Sequence, residues 1–477
     1  MLFNSIDFLI FFPTVTILYF LLPQKFRWFL LLVASCYFYM SFVPKYILIL
    51  TLTILVDYFA GILIEQSSGA KRQIYFYTSI FTTISILLVF KYFNFFNSNI
   101  GALAHFLHWN YSIGYLKLIL PIGLSFHTFQ SMAYIIEVNR GNQKAEHHFG
   151  IYALYVMFYP QLVAGPIERP QNLLHQFYEN HEIDIDRVKS GLRQIFWGFI
   201  KKIVIADRLA VYVNDVYNNI PLLHGFPVIL GIALFTFQIY CDFSGYSDIA
   251  LGTAKVMGFK LMVNFNYPFK SRSIAEFWRR WHISLSTWFN DYLFTPIAFS
   301  TRNLGAKGLY LSIFLTLFLA GLWHGAGWTF LIYGSLHGIA LIYERMTQKL
   351  RKKMSRKIPA YIYDSFSTLV TFSYVSFSFI FFRSASITQA FNVIRHILPI
   401  GSIKMLQINE MGILDIAYLI ALCIGLELVN LWNRRSNIEN FIIRRSVVVR
   451  WGIYYAGIAL IFFLGVFGHV QFIYFQF

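Results

Sequence analysis

The stretch that decides the fold class is LYLSIFLTLFLAGLWHGAGW, residues 309–328. Its apolar run from Leu309 to Trp323 covers 15 residues, or about 22 Å of α-helix at about 1.5 Å per residue. The hydrocarbon core of a bilayer is about 30 Å thick, so a helix that begins near the membrane surface leaves His324 inside the membrane. Glycines at positions 321, 325 and 327 thin the backbone around this histidine and permit a helix break or the close approach of a substrate.

Comparable apolar stretches recur along the whole chain. Hydrophobic residues make up 57% of the 477 residues and charged residues 13%, about half the charge that covers a soluble fold. Soluble classes are therefore excluded, and the sequence predicts an all-α polytopic membrane protein with a single integral membrane domain, 1–477. We expect about 11 transmembrane helices plus re-entrant or interfacial helices, because some candidates, notably 149–164 and 192–212, are too short or too polar to cross alone. The candidate segments are 6–22, 26–43, 46–64, 74–93, 116–136, 149–164, 192–212, 227–241, 309–323, 326–343, 366–382, 413–432 and 451–470.

The net charge of +17, from 39 Lys and Arg against 22 Asp and Glu, is assigned to membrane topology rather than to nucleic-acid binding. Basic residues of membrane proteins concentrate in cytoplasmic loops. They cluster here at 71–72, 345–357 and 433–450, and placing all three loops in the cytoplasm puts both termini on the extracytoplasmic side. The three cysteines are far apart in apolar sequence, so neither a metal site nor a disulfide is predicted.

Polar clusters inside apolar sequence are the candidate sites, because a polar residue at membrane depth is costly. A neutral imidazole at His324 can take and return a proton near neutral pH, as the activation of a hydroxyl requires; the alternative is a histidine packed between helices. His337, 13 residues further on, is either a partner of His324 or another packed histidine.

The run from Glu276 to Tyr292 follows a helical period, with apolar residues on one face. His282, Ser286 and Asn290 fall at i, i+4 and i+8 and form a polar stripe beside that face. This pattern predicts either a helix that lies at the membrane interface or the lining of a catalytic cavity.

A third cluster, residues 238–248, carries two carboxylates, Asp242 and Asp248. Six residues separate them, so they do not share a helix face and make a poor acid/base pair. Holding helix ends or orienting a histidine is the role that the sequence favours for Asp242. A fourth segment, 160–170, contains three prolines and predicts a broken or re-entrant piece.

Five motifs, taken together and in this order, resemble the membrane-bound O-acyltransferase family. Within it the chain is similar to the bacterial polysaccharide O-acetyltransferases, typified by the membrane subunit of alginate acetylation. The motifs are PQLVAGPIERP (160–170), FQIYCDFSGYSDIALG (237–252), NFNYPFKSRSIAEFWRRWHISLSTWFNDYLFTPI (264–297), GLWHGAGWTFLIYGSLHG (321–338) and FIYFQF (472–477).

The resemblance implies a ring of tilted helices around a central funnel, in the bacterial cytoplasmic (inner) membrane. It makes His324 the essential histidine, either as general base on an acceptor hydroxyl or as a transient carrier of the acetyl group, and His282 the second catalytic histidine. The side chains expected to bind or position substrate are Asn290, Asp242, Ser286 and Trp278.

The resemblance also implies a donor and a partner. The donor is acetyl-coenzyme A, a substrate rather than a bound cofactor, and no metal is expected. Its phosphates are expected to meet basic side chains, although ordinary positive-inside residues would look the same in sequence; the candidates are Arg279, Arg280, Lys201 and Lys202. The partner is a separate extracytoplasmic serine-type (SGNH-like) acetyltransferase, since this chain carries no such domain.

Two alternatives to acetyl transfer remain at this point. The first is D-alanyl transfer to teichoic acid from a carrier protein, which is chemistry of the same family. The second, in a different class, is a polysaccharide or lipid transporter, whose broken helices and buried polar residues give a similar sequence pattern.

Overall fold

The computed structural model describes residues 1–118, 120–163, 165–398, 412–467 and 472–473. All regular secondary structure in these residues is helical, which confirms the all-α class. The first helices are α1 (Ile6–Leu21), α2 (Gln24–Met40), α3 (Ile47–Gln66), α4 (Gly69–Leu87), α5 (Phe93–Phe106), α6 (Leu124–Arg140), α7 (Phe149–Met157), α8 (Tyr159–Leu162), α9 (Pro170–Leu173), α10 (Ile185–Phe199), α11 (Asp207–Asn218) and α12 (Phe226–Met257). They are followed by α13 (Ile274–Arg280), α14 (Ile283–Phe289), α15 (Thr295–Ser300), α16 (Ala306–His324), α17 (Trp328–Met346), α18 (Gln348–Ser355), α19 (Ala360–Arg383), α20 (Ile387–Arg395), α21 (Ile413–Ser436), α22 (Ile438–Ile443) and α23 (Val447–Leu464).

Seven helical stretches of the described residues are long and apolar enough to cross a membrane. Large apolar side chains on them lie open on the surface, such as Val448 at 82% and Phe463 at 83% exposure on α23, and only lipid makes such a surface favourable. The chain is therefore a multi-pass membrane protein, while the count of 11 crossings stays a prediction. The seven stretches are Pro44–Gln66, Gly69–Phe106, Phe226–Met257, Ala306–His324, Ala360–Arg383, Ile413–Ser436 and Val447–Leu464.

The fold divides into two compact units, Met1–Ile195 with Ile249–Val263, and Phe196–Asp248 with Asn264–Phe477. In the first unit α3, α4 and α6 pack against one another. Asp57, in the middle of α3, accepts hydrogen bonds from Ser79 (2.5 Å) and Thr83 (3.3 Å) on α4, so hydroxyl donors stabilise its buried carboxyl group. The expectation of a single domain remains untested.

Two segments that were predicted to be too short or too polar to cross the membrane alone are interrupted in the structure. The stretch 149–164 divides at Phe158 into α7 and the single turn α8, with Pro160 in the first turn of α8, where proline is tolerated. The stretch 192–212 contains a π-helical segment, Ile200–Ala206, between α10 and α11. Four positions or ranges of the predicted segments and motifs lie outside the described residues: 119, 164, 468–470 and 474–477.

In the second unit α16 and α17 form a tightly packed helical hairpin, and glycine is what permits the close approach. A Cβ atom at Gly321 would lie 2.3 Å from the carbonyl oxygen of Phe330, and one at Gly334 would lie 2.3 Å from that of Leu317. Small residues at a helix crossing let backbones touch in this way, as is common in membrane proteins. The hairpin holds the end of α16, and with it His324, against α17.

The single helix expected over 276–292 is wrong. The chain forms two short helices, α13 and α14, which are interrupted at Trp281 and His282 and followed by a π-helical segment, Asn290–Phe294. The apolar period continues through the interruption, so the pattern alone gave no signal of the break.

Candidate active site

His324 is the last residue of α16 and is 3% exposed. Three aromatic rings pack around its imidazole, with ring centroids 5.0 Å away for Trp323, 5.9 Å for Tyr333 and 5.2 Å for Phe382. The helix ends here because Gly325 takes an extended conformation, and a Cβ atom there would lie 2.1 Å from the Phe330 ring. The histidine therefore lies at a helix end, the break that its neighbouring glycines permit, and aromatic side chains enclose it.

His282 lies in a left-handed backbone conformation, with φ 44° and ψ 56°. Residues other than glycine rarely adopt it, and such strain persists only where surrounding contacts impose it. Asn264 supplies those contacts: its backbone oxygen accepts from the Ile283 amide at 2.9 Å and its side-chain oxygen accepts from the Ser284 hydroxyl at 2.7 Å. The Asn264 side-chain nitrogen in turn donates to Ser247 of α12 at 3.3 Å.

Trp323 connects the two histidines. Its ring centroid lies 5.0 Å from that of His324 and 6.0 Å from that of His282. Phe243 of α12 packs edge-on against the other side of His282 at 4.6 Å. The structure thus brings both predicted catalytic histidines into one aromatic cluster, although 41 residues separate them in sequence.

A cavity of about 490 Å³ lies beside α13, α14 and α16. It brings together four of the predicted site residues, which are Trp278, Arg279, Ser286 and Asn290. The rest of its lining is mainly apolar and consists of Ile283, Leu285, Thr287, Phe289, Phe294, Ile313, Thr316, Leu317, Ala320 and Leu341. A mainly apolar cavity with a few polar groups is typical of a small-molecule site.

The α16 residues that line this cavity lie on the same helix face as His324. Ile313, Thr316, Leu317 and Ala320 recur every three or four residues and occupy one face of the helix. His324 is the next position on that face, four residues and about 6 Å of helix beyond Ala320. The cavity and the histidine therefore share one side of α16.

The predicted residues Lys201, Lys202 and Asp242 lie elsewhere, in a buried ionic cluster. The Lys202 ammonium group lies 2.7 Å from both Asp207 and Asp242, and Lys201 forms an ion pair with Asp248. Asp242 also accepts a hydrogen bond of 2.7 Å from the Ile473 amide. Asp242 therefore holds a lysine and the chain near its C-terminus, whereas the sequence suggested a histidine as one possible partner.

Arg280 faces a second cavity, of about 650 Å³, in which ion pairs dominate. Lys270 pairs with Glu427 at 2.6 Å, Arg272 with Asp364 at 3.0 Å, and Arg280 with Glu276 at 2.8 Å, while Arg434 adds a fourth base to the lining. Burial alone would raise the pKa of Glu276, but hydrogen bonds from the Arg272 amide and the Arg280 guanidinium hold that pKa below its ordinary value. The cavity lining therefore has four basic and three acidic side chains, so its net charge is positive.

Sequence reasoning missed Asn264 and Trp323 as parts of the site. Asn264 is 18 residues before His282, and no periodicity relates the two positions. Trp323 was visible only as the neighbour of His324. A left-handed turn stabilised by a distant asparagine leaves no sequence signature of its own.

Comparison with known proteins identifies the family of this chain. The model of the membrane-bound O-acyltransferase family matches residues 146–384. A probable alginate O-acetylase of Pseudomonas aeruginosa is 34% identical over 89% of this chain and 82% of its own length. A peptidoglycan O-acetyltransferase of Helicobacter pylori is 31% identical over 80% and 75%, and a teichoic acid D-alanyltransferase of Bacillus subtilis is 30% identical over 56% and 69%. With a family model that matches half of the chain and relatives of this extent, the chain belongs to the membrane-bound O-acyltransferase family and is an acyltransferase.

Proposed function

We propose that this chain moves an acetyl group from cytoplasmic acetyl-coenzyme A across the bacterial inner membrane for O-acetylation of an exported or cell-wall polysaccharide. The observation that carries the proposal is the 490 Å³ cavity whose α16 face continues to His324. The names of the two relatives that match most of this chain, an alginate O-acetylase and a peptidoglycan O-acetyltransferase, support acetyl as the group and a polymer as its destination.

The chemistry assigned to His324 is general base catalysis. A neutral imidazole nitrogen takes the proton of an acceptor hydroxyl while the oxygen attacks the carbonyl carbon of the thioester. The carbon–sulfur bond then breaks, and the imidazolium returns its proton to the departing thiolate. His282, held by Asn264, orients the reacting groups from the other side of Trp323.

The two cavities suit different parts of the donor. The mainly apolar cavity, with Trp278 in its wall and Ser286 and Asn290 as polar groups, accommodates the thioester arm. The positively balanced cavity with Arg280 and Arg434 suits the phosphates, because guanidinium groups bind phosphate in a bidentate manner. Lys201 and Lys202 are assigned a structural role instead, since both are buried and already paired with carboxylates.

The acceptor hydroxyl in this step belongs to the extracytoplasmic side, where the polysaccharide is modified. We assign the final transfer onto the polymer to a separate extracytoplasmic serine-type acetyltransferase. A serine hydroxyl of that partner is one acceptor that the proposed step can use; a sugar hydroxyl is the other.

The decisive experiment replaces His324 with alanine. We expect His324→Ala to lower acetyl-ester content of the exported glycan at least 100-fold, because general base catalysis contributes about 10²–10⁴-fold to a rate. Mass spectrometry of the glycan measures it in a deletion strain complemented with each variant, with membrane levels of the protein checked by immunoblot. His175→Ala is the matched control, since His175 is exposed and pairs only with exposed Glu179 among the described residues. Acetylation near the wild-type level in His324→Ala would refute the catalytic assignment. A covalent acetyl group found on the wild-type peptide that contains His324 would show that this histidine carries the acetyl group instead of acting as a general base.

D-alanyl transfer is the second candidate, favoured by the teichoic acid D-alanyltransferase that is 30% identical over 56% of this chain. The two candidate functions use different acyl donors, so an assay of the donor distinguishes them. Purified chain that releases thiol from acetyl-coenzyme A in the presence of acceptor supports acetyl transfer, whereas activity that requires a D-alanyl carrier protein supports the alternative.

A further inference from the structure

His337 of α17 is fully buried, and both of its ring nitrogens are hydrogen-bonded. The indole Nε1 of Trp278 lies 3.3 Å from Nδ1, and the hydroxyl of Ser378 on α19 lies 2.9 Å from Nε2. His337 therefore connects three helices, α13, α17 and α19. The sequence had suggested His324 as a partner of His337; in the structure Tyr333 packs against both imidazoles, with centroids at 5.9 Å and 4.8 Å.

The two bonds determine the protonation state of the ring. An indole N–H is a donor only, so Nδ1 of His337 must be an unprotonated acceptor. The single proton of the neutral ring then sits on Nε2 and is donated to Ser378, whose own hydroxyl donates to the Val375 carbonyl at 2.7 Å. Every donor in this chain of three bonds has an acceptor, and the imidazole orientation follows from them.

Trp278 depends on this acceptor. Its helix, α13, has only seven residues, too few to be stable without tertiary contacts. Hydrogen bonds join α13 to α17 at two places: Trp278 donates to His337, and the Glu344 carboxylate accepts from the Ile274 amide at 2.6 Å and the Ala275 amide at 3.1 Å. The first contact sets the position of the indole, and the same indole lines the 490 Å³ cavity.

Aromatic packing restrains the His337 ring as well. Phe277 stacks on it at 6.2 Å with an interplanar angle of 13°, and Tyr374 meets it edge-on at 6.1 Å. The Tyr374 hydroxyl donates to the Leu336 carbonyl at 2.7 Å, which holds that tyrosine against α17. The acceptor nitrogen is therefore presented to Trp278 in one direction.

We propose that His337 is a positioning residue for acyl transfer: as a neutral acceptor oriented by Ser378, it holds the Trp278 indole in place as a wall of the cavity that receives the acyl donor. This inference rests on the proposed function for the identity of the donor. Because His337 acts through Trp278 on binding, its loss raises KM for the donor more than it lowers kcat.

The test compares three substitutions at one position. His337→Phe keeps a ring and removes both bonds, His337→Asn keeps an amide oxygen near the place of Nδ1, and His337→Gln keeps an amide near the place of Nε2. We expect KM for acetyl-coenzyme A to rise about tenfold in His337→Phe and His337→Gln, the effect of leaving a buried donor without its acceptor, with kcat within about threefold of wild type. His337→Asn is expected to restore KM to within about threefold.

A double mutant shows whether His337 acts through Trp278. We expect Trp278→Phe to raise KM about as much as His337→Phe, and the double variant to be no worse than Trp278→Phe alone, because coupled residues are not additive. Effects that multiply, or a fall in kcat with unchanged KM, would overturn the proposal.

The hydrogen bond between Trp278 and His337 can be measured without an assay of enzymatic activity. In detergent-solubilised protein with ¹⁵N-labelled tryptophan, the Trp278 indole signal is the one that Trp278→Phe removes. We expect it to shift upfield in His337→Phe and His337→Gln and to stay near its wild-type position in His337→Asn; an unchanged signal in His337→Phe refutes the bond. Wild-type protein that transfers nothing from acetyl-coenzyme A overturns the proposed donor and the KM part of the inference, whereas the indole signal still decides whether His337 holds Trp278.

Discussion

At the scale of single residues, the geometry of His282 depends on Asn264, through its backbone oxygen and its side-chain oxygen. Asn264 bonds the two residues that follow His282 and so imposes the left-handed turn. That turn directs the imidazole into the aromatic cluster with Trp323. Asn264, 18 positions before His282 at the start of the same motif, thereby controls the orientation of that histidine.

We expect Asn264→Ala to destabilise the protein by about 1–3 kcal/mol, since it leaves the buried Ser284 hydroxyl without its acceptor, and to lower acetyl transfer at least tenfold through the displaced His282. Thermal unfolding in detergent and the glycan acetyl-ester content measure the two effects. Asn303→Ala, at an exposed position of the same unit, is the control and should change neither. Full activity in Asn264→Ala would show that the turn at His282 does not matter to catalysis.

At the scale of elements, the crossing of α16 and α17 places His324. Gly321 and Gly334 lie at the contact, where a methyl group has no room. From the glycines around His324 the sequence indicated a helix break or the close approach of a substrate, and it predicted both helices to within about three residues at each end. It did not show which glycines touch which helix.

We expect Gly334→Ala to destabilise the protein by about 1–3 kcal/mol, the typical cost of overpacking, because its Cβ would lie 2.3 Å from the Leu317 carbonyl oxygen. Thermal unfolding in detergent measures this loss. Gly425→Ala in α21 is the matched control: no described atom lies within 4 Å of a Cβ there, so the helix propensity of alanine should leave stability equal or slightly higher. Equal behaviour of the two variants would contradict the tight crossing.

The incorrect prediction of a single helix over 276–292 also belongs to the scale of elements. Hydrophobic periodicity reports which face of a segment is buried, and α13 and α14 both keep their apolar residues inward. The period is therefore continuous across an interruption that tertiary contacts to Asn264 create. Of the predicted stripe, Ser286 and Asn290 line the 490 Å³ cavity and His282 does not. A catalytic role for this cavity stays a prediction.

At the scale of the whole molecule, orientation in the membrane is the property that charge predicts. The basic loops at 71–72, 345–357 and 433–450 are expected in the cytoplasm and both termini outside it. The same scheme places the stretch 94–115, which follows the fourth predicted crossing, on the extracytoplasmic side.

Cysteine labelling tests this topology. In a variant without Cys36, Cys241 and Cys423, we expect a membrane-impermeant maleimide to label Ser112→Cys in intact spheroplasts and to label Ser68→Cys only after the membrane is opened. Both serines are exposed, so access depends on the side of the membrane alone. Labelling of Ser68→Cys in intact spheroplasts would invert the orientation.

The sequence by itself determined the membrane class, the all-α architecture, the family and the place of His324 at a helix end. These properties follow from local quantities: the length of apolar runs, the scarcity of charge and motifs contiguous in the chain. The tertiary structure alone decided that Lys202 pairs with Asp207 and Asp242, that Asn264 shapes the turn at His282, and that Trp278 bonds to His337. Each of these depends on where side chains from separate helices meet, and helix packing, rather than spacing along the chain, sets those distances.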